Sequence, residues 1–151
     1  MFINTKYRST RQEDMDDLSM EGDLLENTLD QLVLIYKRLG GNKATINGLH
    51  TLLKAEPKDA AISIVDLGCG SGDILRAVAD YGRKNNYTFK LTGIDANEYT
   101  VNYARKLSVK YPEISFIKMD VQSIEFSGLS FDIGITTLFL HHFTNQEIDH
   151  L

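Results

Sequence analysis

A turn of three glycines, directly after an acidic residue, is the part of this chain best suited to chemistry. Residues 62–73 read Ile-Ser-Ile-Val-Asp-Leu-Gly-Cys-Gly-Ser-Gly-Asp, so an apolar run reaches Asp66 and then Gly68, Gly70 and Gly72. An amphipathic segment follows at once. Because glycine has no Cβ, it lets the backbone approach a flat, polar ligand closely. The order of strand, glycine turn and helix predicts the floor of a site for a nucleotide-like cofactor.

Two further acids stand where later strands are predicted to end. Asp95 closes the run Thr-Gly-Ile-Asp, where a carboxylate is placed to accept two hydrogen bonds from ribose hydroxyls. Asp120 follows the apolar run 114–119 and could accept a hydrogen bond from an exocyclic amine such as adenine N6. Each acid could instead be a solvated residue at a strand end. Asp95 could also cap a helix that begins near Asn97.

Strands and helices alternate from residue 61 onward. The strand candidates are 61–66, 88–94, 114–119 and 131–138, and the helix candidates are 73–85, 97–110 and a last helix that begins near Asn145. The segment 121–129 is predicted to be a loop with at most one helical turn. This alternation predicts parallel βαβ units with right-handed crossovers, and therefore a doubly wound parallel α/β sheet. Because parallel strands end at one edge, the acids and the stretch 136–143 should converge there.

The N-terminal part has a different organisation. The first twenty or so residues are polar and are predicted to form an arm with little structure of its own. Apolar residues at helical spacing predict a helix over 21–39, which the glycine pair at 40–41 ends. A second, shorter helix is predicted to start after a Thr45 N-cap. We divide the chain into this arm and helical cap, residues 1–60, and a cofactor-binding core, residues 61–151.

Composition narrows the class of protein. A length of 151 residues favours one domain, and the net charge of −5 argues against a broad phosphate-binding surface and thus against nucleic acid. No apolar run approaches the roughly 18–20 residues that a membrane span needs, and no signal-peptide core is present. The single cysteine, Cys69, fits a reducing cytoplasm, and the four histidines lack metal-ligand spacing. We expect a cytoplasmic protein with no membrane partner and no metal.

The chain stops at Leu151, just as a helix after the fourth strand begins. A sheet of four strands would leave an apolar edge exposed. We therefore expect the sequence to be the N-terminal portion of a longer chain, with C-terminal strands missing. On this interpretation the 151-residue form is a weak or inactive catalyst, and its open sheet edge makes a homo-oligomer plausible.

Four motifs, in order and at suitable spacing, resemble those of class I S-adenosylmethionine-dependent methyltransferases. The run 65–72 is similar to the first motif, Gly-Ile-Asp at 93–95 to the second and Met-Asp-Val at 119–121 to the third. The run 131–143 resembles the fourth strand of small-molecule members, such as quinone-biosynthesis-like methyltransferases. The resemblance covers about residues 61–151 and implies a Rossmann-like methyltransferase fold. The N-terminal helices have a weaker parallel in the cap that many small-molecule members place over the cofactor.

The resemblance implies that S-adenosyl-L-methionine is the cofactor and gives each matched residue a role. The residues implied in cofactor binding are Asp66, Gly68, Cys69, Gly70, Gly72, Ile94, Asp95, Ala96, Asp120 and Val121. The glycine backbone would approach the methionine part, and Asp66 would orient its ammonium group. Asp95 would hold the ribose hydroxyls. Side chains on both sides of Asp95 would flank the adenine, while Asp120 and the Val121 amide would read its edge.

Groups outside these motifs are candidates for other roles. His141 and His142 could include a general base that takes a proton from a hydroxyl or an acidic carbon as the methyl group transfers. His142 is the better candidate to face the pocket. One or both could instead cap the following helix or pack beneath the substrate. Tyr7, Arg8 and Arg11 in the arm could fold over the cofactor carboxylate, or belong to a disordered tail.

Two alternatives remain beside the methyltransferase interpretation. An NAD(P)-dependent oxidoreductase usually has its third glycine one place later, where this chain has Asp73. An acid beside the glycines attracts a positive sulfonium and repels a pyrophosphate. A non-catalytic cofactor-binding member is the other alternative. The stretch 137–140 lacks the Asn/Asp-Pro-Pro-aromatic tetrapeptide typical of enzymes that modify base amino groups, so we expect a small-molecule acceptor methylated at oxygen or carbon.

Overall fold

The computed structural model describes residues 17–55, 60–123 and 126–149. Two helices precede an alternating α/β unit. The elements are α1 (Asp23–Arg38), α2 (Gly41–Leu52), β1 (Ala61–Leu67), α3 (Asp73–Asn85), β2 (Thr88–Asp95), α4 (Glu98–Leu107), β3 (Ile114–Lys118), β4 (Ile133–Thr136) and α5 (Asn145–Ile148). Short 3₁₀ turns lie at Leu53–Ala55, Phe126–Gly128 and Leu140–His142. The predicted arm before residue 17, with Tyr7, Arg8 and Arg11, lies outside the described residues.

The four strands form one parallel sheet in the order β3-β2-β1-β4. The chain runs outward from β1 to β2 and β3 and then crosses back to place β4 on the other side of β1. This reversal confirms the predicted doubly wound α/β fold. Open sheets of this kind bind ligands beyond the carboxyl ends of the strands at the point of reversal. That point lies here between β1 and β4.

One face of the sheet carries the main core. Alternate strand residues point to α3 and α4, as expected for strands whose side chains alternate between two faces. Helix α2 packs on α3 and extends this layer. The fully or nearly fully buried side chains of this core include Leu53, Ile64, Leu75, Val78, Leu91, Val101 and Ala104. The strands are thereby fixed against a helical layer, which leaves their carboxyl ends free for a site.

The opposite face is apolar only at its carboxyl end. Val65, Ile94 and Val121 are buried there and are covered by aromatic side chains from the loops around β4. At the other end of the same face, the Thr92 and Ser115 hydroxyls hydrogen-bond at 3.3 Å. The apolar packing on this face thus lies directly beneath the carboxyl edge of the sheet, where the predicted site residues are located.

The second helix begins earlier than the sequence indicated, and the predicted Thr45 cap is wrong. Gly40 adopts a left-handed conformation with φ of 79°, ends α1 and serves as the N-cap of α2. Thr45 lies inside α2, where its hydroxyl is 3.2 Å from the Tyr36 hydroxyl. Glycine at such a junction lets one helix stop and the next start without a loop. Strand β4 is also shorter than the predicted range 131–138.

We expect Gly72→Ala to destabilise the fold by about 2 kcal/mol. Gly72 has φ of 75°, and a Cβ there would stand 2.7 Å from the Phe116 ring. Thermal unfolding followed by circular dichroism measures the loss. Gly48→Ala is the matched control, since a Cβ at Gly48 meets nothing within 4 Å and alanine favours the interior of α2. Equal melting temperatures for G72A and the wild-type chain would contradict the conclusion that only glycine fits at position 72 without strain.

Candidate functional site

A cavity of about 580 Å³ lies at the carboxyl edge of the sheet, with α1 forming its roof. The structure brings nearly all of the predicted site residues to its wall. Those that line it are Asp66, Gly68, Cys69, Gly70, Ile94, Asp95, Ala96, Asp120, Val121, His141 and His142. Gly72 does not line the cavity and packs against Phe116 behind the turn. The convergence of these residues follows from the parallel strands, which end at one edge.

Backbone hydrogen bonds hold the glycine turn against the end of β2. The amides of Gly68 and Cys69 both donate to the carbonyl oxygen of Ile94, at 2.9 and 3.0 Å. The amide of Gly70 donates to Asp95 Oδ2 at 3.1 Å. At Gly70 a Cβ would meet only the side chain of Leu29 on α1, at 3.5 Å. The turn is therefore fixed against β2 and is covered on its other side by Phe139 at Gly68 and by Leu29 of α1 at Gly70.

Asp95 is held by two backbone amides, one on each carboxylate oxygen. Besides the amide of Gly70, the amide of Asn97 donates to Oδ1 at 3.0 Å. Burial raises the pKa of Asp95, and these two hydrogen bonds act in the opposite direction. A carboxylate oxygen accepts two hydrogen bonds, so each oxygen retains the capacity for one more. Asp95 can therefore accept hydrogen bonds from a ligand while it keeps those from the backbone amides of Gly70 and Asn97. It does not cap α4, because Asn97 does so.

An acidic corner lies beside the glycine turn and consists of Asp66, Ser71 and Asp73. Asp66 is 2% exposed and Ser71 is 3% exposed. Among the described residues, Asp66 Oδ1, Ser71 Oγ and Asp73 Oδ2 are buried and have no hydrogen-bond partner. Burial, followed by the charges of Asp73 and Asp95, raises the pKa of Asp66 well above its ordinary value. Buried acceptors without donors are costly, so this corner is suited to a ligand that brings N–H donors and positive charge.

The charges on the cavity wall also favour a positively charged ligand. Five aspartates line the cavity, whereas no lysine or arginine of the described part of the chain does. Arg76 lies behind the turn and donates to the carbonyl oxygen of Ser71 at 2.7 Å and to the Ser108 hydroxyl at 3.0 Å. Asp73 is the first residue of α3 and occupies the helix terminus at which a pyrophosphate would be stabilised. The wall therefore favours a cation over a dinucleotide phosphate.

The other predicted cofactor residues lie along the β2 and β3 ends of the cavity. Asp120 is exposed, and its Oδ1 accepts the amide of Gln122 at 2.9 Å. Val121 is 5% exposed, and Ile94 has no exposed surface and lies beneath the wall. Ala96 is half-buried at the turn that follows Asp95. The polar and apolar groups proposed for an adenine ring are thus present along one wall.

Cys69 is a packed residue within the turn. Its side chain is 5% exposed, and its Sγ lies 2.8 Å from the position that a Cβ on Gly93 would occupy. Burial and the nearby charges of Asp95 and Asp66 raise the pKa of this thiol. A thiolate is the nucleophilic form of cysteine, so this environment suppresses reactivity. The thiol fills space beside β2 within the turn.

The two histidines lie on the rim of the cavity, in the 3₁₀ turn after β4. Their ring centroids are 4.1 Å apart, and both side chains are exposed. Neither caps α5, because Thr144 caps that helix in a capping box with Glu147. This excludes the helix-cap alternative for both histidines. Leu138 precedes them with φ of 52°, a strained conformation for leucine of the kind found at functional sites.

Several lining residues were not predicted. Ser71 lies within the glycine turn and Asp73 directly follows it, and the acidic residue type at the first position of α3 was a signal for Asp73. The stretch 136–143 reaches the cavity as predicted, through Leu138, Phe139 and Phe143, whereas the residues of α1 that form the apolar roof were not singled out individually; they are Leu25, Leu29, Leu32, Val33 and Tyr36. A second cavity of about 380 Å³ adjoins the first along β4 and shares Tyr36, Thr137 and Leu138 with it.

In the described part of the chain, no helix is long and apolar enough to span a bilayer.

Comparison with known proteins identifies the family. A family model described as a methyltransferase domain matches residues 64–151, more than half of the chain. A 2-phytyl-1,4-naphtoquinone methyltransferase from Thermosynechococcus vestitus is 27% identical over 117 residues, which cover 74% of this chain and 49% of that protein. The chain thus spans about half the length of this curated relative.

Solved structures show the same fold. The plantazolicin methyltransferase BpumL, solved with S-adenosylhomocysteine, aligns with a TM-score of 0.57 and 22% identity over 83% of this chain and 45% of that one. A protein from Methanococcus maripaludis aligns with a TM-score of 0.60 and 13% identity over 93% of this chain and 60% of its own. With the family match, these alignments confirm the resemblance carried by the four motifs. The chain belongs to the methyltransferase-domain family and is a class I S-adenosylmethionine-dependent methyltransferase domain.

Proposed function

We propose that this domain binds S-adenosyl-L-methionine and takes part in methyl transfer to an oxygen or carbon of a small-molecule acceptor. The observation that carries the proposal is the acidic corner beside the glycine turn. Three buried oxygens that find no hydrogen-bond partner in the described part of the chain, two of them on aspartates, fit the ammonium group of the cofactor's methionine part. When bound, the cofactor supplies an electrophilic methyl group on a positively charged sulfur.

The residues of the wall would hold separate parts of the cofactor. Asp66 and Asp73 would accept hydrogen bonds from the ammonium group, and their charge would favour the nearby sulfonium. Asp95, preorganised by the amides of Gly70 and Asn97, would accept the ribose hydroxyls. Asp120 would accept a hydrogen bond from the adenine amine. Ala96, Ile94 and the Val121 amide would line the adenine position.

The acceptor side of the cavity is apolar and would exclude water. Helix α1 contributes leucines to the roof, and Phe139 and Phe143 stand opposite, with ring centroids 4.8 Å apart. A water-poor chamber that aligns the acceptor with the methyl group would supply most of the rate enhancement through positioning. The acidic wall and the net charge of −5 make a nucleic acid an unfavourable acceptor. We therefore propose a small molecule with an apolar body.

His142 is the proposed general base, with His141 as its neighbour. We expect His142→Asn to lower methyl transfer to a hydroxyl acceptor by about 100-fold, since a removed base typically costs at least that factor. Asparagine keeps a hydrogen-bonding side chain but does not accept a proton. The measurement is transfer of radiolabelled methyl to a panel of phenols, with His141→Asn as the matched control. Undiminished transfer by H142N would rule out this role.

The first experiment on the proposal is a calorimetric titration with S-adenosylhomocysteine, with NAD titrated in parallel. Circular dichroism confirms that the sample is folded. Micromolar binding of S-adenosylhomocysteine alone supports the proposal. Binding of NAD alone favours an oxidoreductase and overturns it. Binding of S-adenosylhomocysteine without transfer to any acceptor would indicate a non-catalytic member.

A further inference from the structure

Residues 17–22, the segment that leads into α1, form a short strap along the rim of the main cavity. Asp17, Leu18 and Met20 of this strap line the cavity. Asp17 shapes the strap, because its Oδ1 accepts the amide and the hydroxyl of Ser19 at 2.9 and 2.6 Å. The amide of Met20 donates to the carbonyl oxygen of Asp17 at 3.1 Å. The strap is thus a turn with its own hydrogen bonds rather than an extended tail.

The side chain of Asn97 fastens the strap to the core. Its Nδ2 donates to the carbonyl oxygens of Leu18 at 3.1 Å and Met20 at 2.9 Å. Its Oδ1 accepts the amide of Thr100 at 2.9 Å and caps α4. The reverse amide orientation would place Oδ1 against two carbonyl oxygens and Nδ2 against an amide N–H, so the network fixes one orientation. Asn97 itself is 7% exposed, and its two hydrogen bonds to the strap are partly shielded from water.

Asn97 also contacts the acid at the centre of the site. Its backbone amide donates to Asp95 Oδ1, the oxygen opposite the one that holds Gly70. Asn97 thus has two contacts at one end of the cavity. Its backbone amide supports the carboxylate of Asp95, which is assigned to the ribose, and its side chain holds the strap in place. Neighbouring contacts from α4 hold α1 in place separately, through Tyr99 to Glu26 and Tyr103 to Asp30, each at 3.0 Å.

We propose that Asn97 is a positioning residue that latches residues 17–22 over the bound cofactor and slows its release. This inference rests on the proposed function, because it takes the Asp95 end of the cavity as the ribose end. Opening the strap requires that two partly buried hydrogen bonds from one amide be broken together. A ligand on Asp95 stabilises the loop to which the latch belongs. Closure of the strap and occupation of the site are therefore coupled through one side chain.

Asn97→Ser tests the latch. Serine is as good an N-cap as asparagine, so α4 keeps its cap, but the shorter hydroxyl does not span the distance to both strap carbonyls. We expect S-adenosylhomocysteine to dissociate about 10-fold faster from N97S, with a smaller change in the association rate, as is usual for lost contacts. Stopped-flow displacement measures both rates. Asn102→Ser, the same change at an exposed position of α4, is the matched control and should keep wild-type rates.

Limited proteolysis gives a readout that does not depend on the ligand. A glutamate-specific protease cuts after Glu21 within the strap, and mass spectrometry follows that fragment. The bond should be cut faster in free N97S than in the free wild-type chain or N102S. Wild-type dissociation and cleavage rates in N97S would overturn the latch. If the wild-type chain binds no S-adenosylhomocysteine, the proposed function fails, and cleavage still decides whether Asn97 holds the strap. Should N97S fail to fold, Asn97→Asp keeps the cap and replaces the donor by an acceptor, with the same expected result.

Discussion

Replacement of Asp95 by alanine is expected to weaken the binding of S-adenosylhomocysteine by about 1,000-fold, or roughly 4 kcal/mol. Two hydrogen bonds from ribose hydroxyls to a carboxylate contribute about 1.5–3 kcal/mol each. Asp95 also accepts the amides of Gly70 and Asn97, so its removal loosens the turn on which the ligand rests. Isothermal calorimetry on the D95A and wild-type chains measures the effect.

A conservative substitution separates these two contributions. Asp95→Asn retains one oxygen that can accept an amide, yet replaces the other acceptor by a donor that faces a backbone N–H. Because one of the two backbone amides keeps its acceptor, we expect D95N to lose less stability than D95A and to bind far more weakly than the wild-type chain. Asp80→Ala removes an exposed acid that accepts a hydrogen bond from the Tyr111 hydroxyl at 3.3 Å and lies away from the cavity, and it serves as control. Binding by D95A within threefold of the wild-type value would exclude a ribose role for Asp95.

The sequence was most informative where one local pattern predicts both a strand and the position of the residue that follows it in the sheet. Each acid follows an apolar run, and parallel strands end at one edge, so the amino-acid pattern alone places Asp66, Asp95 and Asp120 together. The reversal of strand order was also predictable, because β1 must be central for its glycine turn to lie at the crevice. Handedness and alternation therefore determined the fold class and most of the cavity floor.

The roof and rim could not be predicted in the same way. Whether Leu29 of α1 crosses Gly70 depends on how α1 docks on α4, and a helical repeat shows only that one face is apolar. That Asp66 Oδ1 is buried and finds no hydrogen-bond partner within the described ranges depends on the three-dimensional packing, which a sequence does not show. The φ of 52° at Leu138 has no local signal, because leucine is not a residue that favours such a turn. The latch at Asn97 joins residues that are far apart in the chain.

The buried carboxyl of Asp66 makes binding and stability respond to pH in opposite directions. Its pKa in the folded chain lies above its ordinary value of 3.8, chiefly because of burial and then because of Asp73 and Asp95. The folded state therefore binds the proton more tightly than the unfolded state does. The stability that Asp66 contributes is complete below pH 3.8 and is lost as the pH rises through the folded pKa. An ammonium ligand requires the ionised form, so affinity should increase over the same interval.

Asp66→Asn should therefore stabilise the free protein at pH values above the folded pKa of Asp66 and impair the site. Removal of a buried charge without a partner is expected to gain about 1 kcal/mol, or roughly 3 °C in melting temperature. Affinity for S-adenosylhomocysteine should fall about 100- to 1,000-fold, because an ammonium group loses its buried counter-charge. Melting curves from pH 4 to 8 test the first effect, because the stability gain of D66N over the wild-type chain should vanish in acid. Calorimetry over the same pH range tests the second, because the affinity of D66N for S-adenosylhomocysteine should rise less with pH than that of the wild-type chain. Asp132→Asn is the control, because Asp132 is exposed and its pKa is lowered by hydrogen bonds from Ser63. A D66N chain that is less stable and binds as well as the wild-type chain would assign Asp66 to the scaffold rather than to the ligand.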